Sequence, residues 1–93
     1  MTINLKFVGS LRFYSEAKEI SLLSEKCTLF ELINKLTEKK PSLRRNLIDE
    51  QLDKPKASAL ILVNSKEISV LDGLETLVQE GDEVVFIPVI HGG

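Results

Sequence analysis

The chain has 93 residues, enough for one domain with a single modest core. An apolar fraction of 43% and a charged fraction of 28% are those of an ordinary globular domain. A net charge of −2 gives no reason to expect nucleic acid or an acidic membrane as partner.

The N-terminus, Met1-Thr2-Ile3-Asn4-Leu5-Lys6, alternates polar and apolar and is unlike a signal peptide. No apolar run approaches the roughly 20 residues that span a bilayer. A lone cysteine, Cys27, excludes an internal disulfide and fits a reducing compartment. The expected location is therefore the cytoplasm, with no membrane partner.

Ile3, Leu5 and Phe7 alternate with polar residues and predict a first strand, broken by Gly9-Ser10. Ser10 to Lys18 reads as a loop pinned by Leu11, Phe13 and Tyr14. A second strand is expected over Glu19 to Leu23, with Ile20 and Leu22 inward. Thr28 followed by Glu31 predicts a capping box. Leu29, Leu32, Ile33 and Leu36 then form one apolar helical stripe. Lys39 and Lys40 suit its last turn, and Pro41 is expected to stop it.

Ser42 to Lys56 reads as an irregular connection, although Leu43, Leu47, Ile48 and Leu52 hint at a helical excursion. The run Ala59 to Val63 predicts a strand buried on both faces. Asn64-Ser65-Lys66-Glu67 is a turn, with Ile68 to Val70 returning as a short strand. Leu71-Asp72-Gly73-Leu74 predicts a turn with one helical step, and Gly81-Asp82 another turn. Glu83 to Val89 is the last strand. The expectation is a single α+β domain over 1–93: a sheet of four or five strands packed on one main helix of about three turns, with a flexible tail over 90–93.

Internal chemistry is sparse. His91 and Cys27 are the only residues of their kinds, so no metal site is expected. No phosphate-cradling glycine loop and no nucleophile elbow is present. Cys27 beside the helix entrance is read as core packing rather than as a nucleophile paired with His91. Lys39, Lys40, Arg44 and Arg45 read as a solvated helix end, with no interleaved aromatics to suggest direct nucleic-acid binding. No internal catalytic residue is expected.

The exception is the end, His91-Gly92-Gly93. Glycine lacks a Cβ, so a strand leading into such a tether can deliver a carboxylate into another protein's narrow channel. A carboxylate is a poor electrophile until a partner using ATP converts it to an acyl-adenylate, which a sulfur donor can then attack. In the last strand Val85, Ile87 and Val89 alternate with Val84, Phe86 and Pro88. Both sets are apolar, and one helix covers one sheet face. Val85, Ile87 and Val89 are thus a candidate docking patch, the alternative being a central strand whose second face a loop covers.

Several stretches together resemble the MoaD/ThiS family of sulfur carriers. They are Phe7-Val8-Gly9-Ser10-Leu11-Arg12, Val63-Asn64-Ser65-Lys66-Glu67-Ile68, Leu71-Asp72-Gly73-Leu74-Glu75-Thr76, Gly81-Asp82-Glu83-Val84, Pro88 and Gly92-Gly93. Within the family the chain is similar to the molybdopterin synthase small subunit and the archaeal small modifier proteins. The ending His91-Gly92-Gly93 is also that of the eukaryotic ubiquitin-related modifier of tRNA thiolation.

The resemblance implies a ubiquitin-like β-grasp fold that is not itself an enzyme and binds no cofactor stably. Gly93 would be adenylated and thiocarboxylated, with Gly92 and His91 entering the partner's active site. The implied partners are a ubiquitin-activating-enzyme-like adenylyltransferase that uses ATP and a molybdopterin synthase large subunit. Lysines of target proteins are a further acceptor. Molybdopterin-type carriers often carry two prolines before the tail; here Val89 follows Pro88. The acceptor therefore stays open among a molybdopterin precursor, tRNA, a thiamin precursor and protein lysines. A non-covalent β-grasp binding module is the remaining alternative.

Overall fold

The computed structural model describes residues 2–51 and 53–89. Strand β1 (Thr2–Phe7) buries Ile3, Leu5 and Phe7 and turns Thr2 and Asn4 outward, as period-two alternation requires. It pairs antiparallel with β2 (Glu19–Leu23). Between them lies a short helix, α1 (Leu11–Ser15), rather than the expected loop. Buried Leu11 and Ser15 share its inner side, one turn apart.

A two-residue strand, β3 (Cys27–Thr28), leads into α2 (Leu29–Leu36). The capping box forms: the Glu31 N–H donates to Thr28 Oγ1 (3.1 Å), and the Thr28 N–H donates to Glu31 Oε1 (2.9 Å). Leu29, Leu32, Ile33 and Leu36 are buried, each worth about 1.5–3 kcal/mol of transfer free energy. This helix is two turns, not three. Thr37 caps it, its N–H and Oγ1 both donating to Ile33 O. Pro41 does not end α2 but begins α3 (Pro41–Leu47), at the first helical position, where a missing N–H costs nothing.

The segment expected to be irregular is thus ordered for much of its length. Leu43 and Leu47 are buried on α3, and β4 (Ile48–Asp49) pairs with β5 (Lys56–Ala57). Leu52 lies outside the described residues.

Strand β6 (Leu60–Val63) turns through Asn64-Ser65 into β7 (Lys66–Glu67). Both turn residues have positive φ, 49° and 71°, the hand a two-residue hairpin needs. Ile68–Val70 is a 3₁₀ turn, not the short strand expected; Ile68 is buried in it. A second 3₁₀ turn, Gly73–Glu75, is the predicted helical step. Then β8 (Leu77–Val78) pairs with β3, and β9 (Glu83–Ile87) closes the sheet.

The main sheet has the order β2-β1-β9-β6-β7. The last strand sits at its centre, parallel to β1 and antiparallel to β6. One face carries the core: Ile3, Leu5, Phe7, Ile61, Val63, Val84 and Phe86 pack with the stripe of α2 and with Leu43 and Leu47 of α3. The rings of Phe7 and Phe86, on adjacent strands, stack 5.2 Å apart.

Candidate functional site

The register of the central strands sets out the opposite face in rows. At the end where β9 finishes, Ile87 faces Leu60 of β6, and Val8 continues β1 past Phe7, its N–H donating to Phe86 O (3.0 Å). This row is apolar throughout. In the next, Val85 lies between Leu62 and Lys6, with Glu67 and Glu19 at the outer strands. In the third, Glu83 faces Asn4, whose Oδ1 accepts from Ser21 Oγ (3.1 Å). The outer face thus grades from apolar near the tail to charged and polar away from it.

Val85 and Ile87 are half-buried on this face, and Val89 is 48% exposed beyond it, while Val84 and Phe86 are buried in the core. The run Ala59 to Val63 is not buried on both faces as expected. Ile61 and Val63 are buried, but Leu60 is 36% exposed and Leu62 half-buried. Leu60, Leu62 and Val8 therefore belong to the apolar patch, and sequence reasoning missed them. Their signal was the apolar alternation itself: a strand apolar at every position in a sheet with one helical layer must present half of them to water.

Lys6 bounds the patch. Its Nζ lies 2.9 Å from Glu83 and 3.7 Å from Glu19. The Glu83 carboxylate, hydrogen-bonded to it, raises the Lys6 pKa above its ordinary 10.5.

The tail's root is fixed by close packing. Gly9 has φ +58°, and a Cβ there would lie 3.3 Å from Pro88 Cγ. Glycine allows both the left-handed backbone and this approach. Residues 90–93, with His91, Gly92 and Gly93 among them, lie outside the described residues and follow from this end of the sheet. Four residues span at most about 14 Å fully extended.

Two of the family-like motif residues, Asn64 and Asp82, serve the fold. Asn64 Nδ2 donates to Asp82 Oδ1 (3.0 Å), and the Glu83 N–H donates to Asn64 Oδ1 (3.0 Å). Asp82 Oδ2 accepts from the Gln79 N–H (2.8 Å). These bonds tie the β6–β7 hairpin to the turn before β9.

Other candidates hold no assembled chemistry. Cys27 is half-buried against the core, its Sγ 3.5 Å from Ser24 Oγ. The basic group is partly engaged: Lys40 Nζ donates to Ser15 O (2.7 Å), and Arg44 pairs with Glu50 (2.8 Å) and sits over the Phe30 ring. Among the described residues no group of three or more His, Cys, Asp or Glu could hold a metal ion. No helix among them is long and apolar enough to cross a membrane. A groove of about 960 Å³, lined by Phe30, Ala57, Ile68 and Leu74, contains no tail-root residue and, of the outer-face residues, only Glu67 at the sheet edge.

Comparison with known proteins gives a consistent picture. The profile of the ThiS family matches residues 5–93. The structure is similar to small archaeal modifier protein 1 from Methanosarcina acetivorans, with TM-score 0.79 and 31% identity over 99% of this chain and 96% of that one. It is similar to Urm1 from Trypanosoma brucei, with TM-score 0.76 and 26% identity over 99% of this chain and 95% of that one. In the Amycolatopsis orientalis BexX/CysO complex a chain matches with TM-score 0.79 and 22% identity, over 98% of this chain and 99% of that one. A search of curated proteins finds no match. The fold is the ubiquitin-like β-grasp, α+β with a mixed five-stranded sheet.

Proposed function

The chain belongs to the ThiS family, and from that premise we propose that the Gly93 carboxylate is the group it works with, as the substrate of an ATP-dependent activating enzyme. Proteins of this family are small sulfur carriers or modifiers, not catalysts themselves. One observation supports the reading most. The central strand β9 is held on both sides and ends in the apolar row Val8, Ile87 and Leu60, so the tail leaves from beside a surface suited to a partner.

The chemistry proposed is conventional acyl activation. A Gly93 carboxylate oxygen attacks the α-phosphorus of ATP, and pyrophosphate leaves. A donor at the oxidation level of sulfide then attacks the carbonyl carbon, and AMP departs with the bridging oxygen, leaving a thiocarboxylate. Gly92 and His91 occupy the channel that leads to the reacting atom. Val85, Ile87 and Val89, with Leu60, Leu62 and Val8, form the docking face. ATP belongs to the partner, and the cytoplasm supplies it.

The acceptor we propose first is a molybdopterin precursor, with this chain as the small subunit beside a synthase large subunit. That a similar chain, CysO, occurs in a complex with BexX supports a protein partner for the carrier form. A second reading, attachment of the tail to protein lysines, is favoured by the 31% identity to a protein named a modifier. A tRNA-thiolation carrier uses the same tail chemistry.

Incubation with a cognate activating enzyme, ATP and a sulfide source tests the shared step. Intact mass should show one oxygen replaced by sulfur, and a chain lacking Gly93 should stay unchanged. An unmodified full-length chain, with an enzyme verified on another carrier, refutes the reading. Gly93 found joined to target lysines in cell extracts would favour the modifier form.

A further inference from the structure

Phe13 is the most exposed large apolar side chain described, at 79%. Isolated surface apolar residues are common and prove nothing by themselves. Its position is what distinguishes it. The N–H groups of Leu11, Arg12 and Phe13 donate to the carbonyls of Val8, Gly9 and Ser10, so Phe13 lies one helical turn beyond Gly9. Gly9 is the residue packed against Pro88. One turn rises about 5.4 Å, which puts the Phe13 backbone on the order of 10 Å from the tail's root.

The helix that carries the ring is held in place. Leu11 and Ser15 anchor α1 from its buried side. Arg12 Nε donates to Phe7 O (3.0 Å), and Lys40 Nζ donates to Ser15 O (2.7 Å). The Tyr14 ring meets Phe13 edge-on, 5.3 Å between centroids. An aromatic side chain on an anchored backbone has few torsions left to lose on binding, which suits an interface anchor.

On the reading that the tail is processed by a partner, we propose that Phe13 is a docking anchor for that enzyme. Its ring fills an apolar pocket on the enzyme, a second contact beside the sheet-face patch. On the proposal that Gly93 carries the reacting carboxylate, the four residues between Val89 and that carboxylate set where the enzyme must sit. With at most about 14 Å of tether, the enzyme's catalytic site must come to the root of the tail. A specific interface covers about 800 Å² per partner, a disc of radius about 16 Å, and centred on that root it includes Phe13.

The test is ATP–pyrophosphate exchange by the cognate activating enzyme against carrier concentration, for wild type, Phe13→Ala, Phe13→Leu and Leu23→Ala. Leu23 is exposed but pairs with Thr2, at the far end of the sheet from the tail. Phe13→Ala should raise KM about tenfold with kcat within about twofold, Phe13→Leu should recover part of the loss, and Leu23→Ala should match wild type. Thermal melting of Phe13→Ala should equal wild type, because the ring is exposed. Wild-type exchange with unchanged KM in Phe13→Ala, an equal loss in Leu23→Ala, or a loss confined to kcat overturns the anchor while leaving tail activation standing. No exchange with wild type, by an enzyme active on another carrier, overturns both.

Discussion

Asn64 and Asp82, eighteen positions apart, clasp each other side chain to side chain at 3.0 Å. Asn64 does this from a left-handed backbone, φ 49°, and its Oδ1 also accepts the Glu83 N–H. Asparagine tolerates that conformation better than most residues. Asn64→Ala should therefore cost about 1–2 kcal/mol, as hydrogen bonds are lost and an alanine is forced to positive φ. Urea unfolding would read the loss, and Asp82→Ala should cost less because the backbone at Asn64 stays suited to its residue.

Gly9 combines positive φ with the approach of Pro88, whereas at Gly73, φ +57°, a Cβ would meet nothing within 4 Å. Both alanine substitutions should destabilise by about 1 kcal/mol through the backbone. Gly9→Ala should cost more, since Pro88 must also shift. Comparing the melting temperatures of the two variants separates the steric part from the conformational part.

The capping box carries a pH signature. Glu31 accepts the Thr28 N–H and hydroxyl, and that backbone hydrogen bond, first of all, holds its carboxyl below the ordinary 4.5. A depressed carboxyl adds stability that is complete above its unfolded value and vanishes as pH falls through the folded one. Glu31→Gln should flatten the acid limb of the stability curve below about pH 4.5. Thr28→Ala should lower stability by about 1 kcal/mol at neutral pH. Chemical denaturation across that range reads both. Glu50, lowered by its bond from Arg44, acts in the same direction and would leave a remaining slope.

The sheet face should be separable from the core. Leu62→Ser on the outer face should weaken binding of the activating enzyme about tenfold or more with little change in melting. Ile61→Ser, its buried neighbour, should instead unfold the chain readily, because it places an unsatisfied hydroxyl in the core. Calorimetric binding alongside thermal melts would show whether the two effects part in this way.

Strands with clean alternation were legible in the sequence, as was the helix start. Ile3, Leu5 and Phe7 repeat at period two, and Thr28 with Glu31 names a cap by chemistry that local geometry alone can satisfy. Residues 42–56 were obscure because α3 contributes only two buried side chains, Leu43 and Leu47, too few for a periodic stripe. Pro41 has opposite meanings at the end and the start of a helix, and only the capping of α2 by Thr37 decides between them. The proposed docking face was half legible. Val85 and Ile87 could be read, but Leu60 and Leu62 sat in an apolar run whose faces only the sheet order distinguishes. The tail residues His91, Gly92 and Gly93 rest on the resemblance and on elimination of other chemistry, not on described geometry.

The parallel pairing of β1 with β9 also constrains how the chain is made. A ribosome emits β1 and β2 first, but the strand that belongs beside β1 and joins it to β6 begins only at Glu83. Contacts this distant in sequence form late and slowly. A chain stalled before that point has a sheet split in two and its Phe7 ring unstacked. Proteolysis would then clear chains in which Glu83–Ile87 has not been made, because only that strand joins the two halves of the sheet.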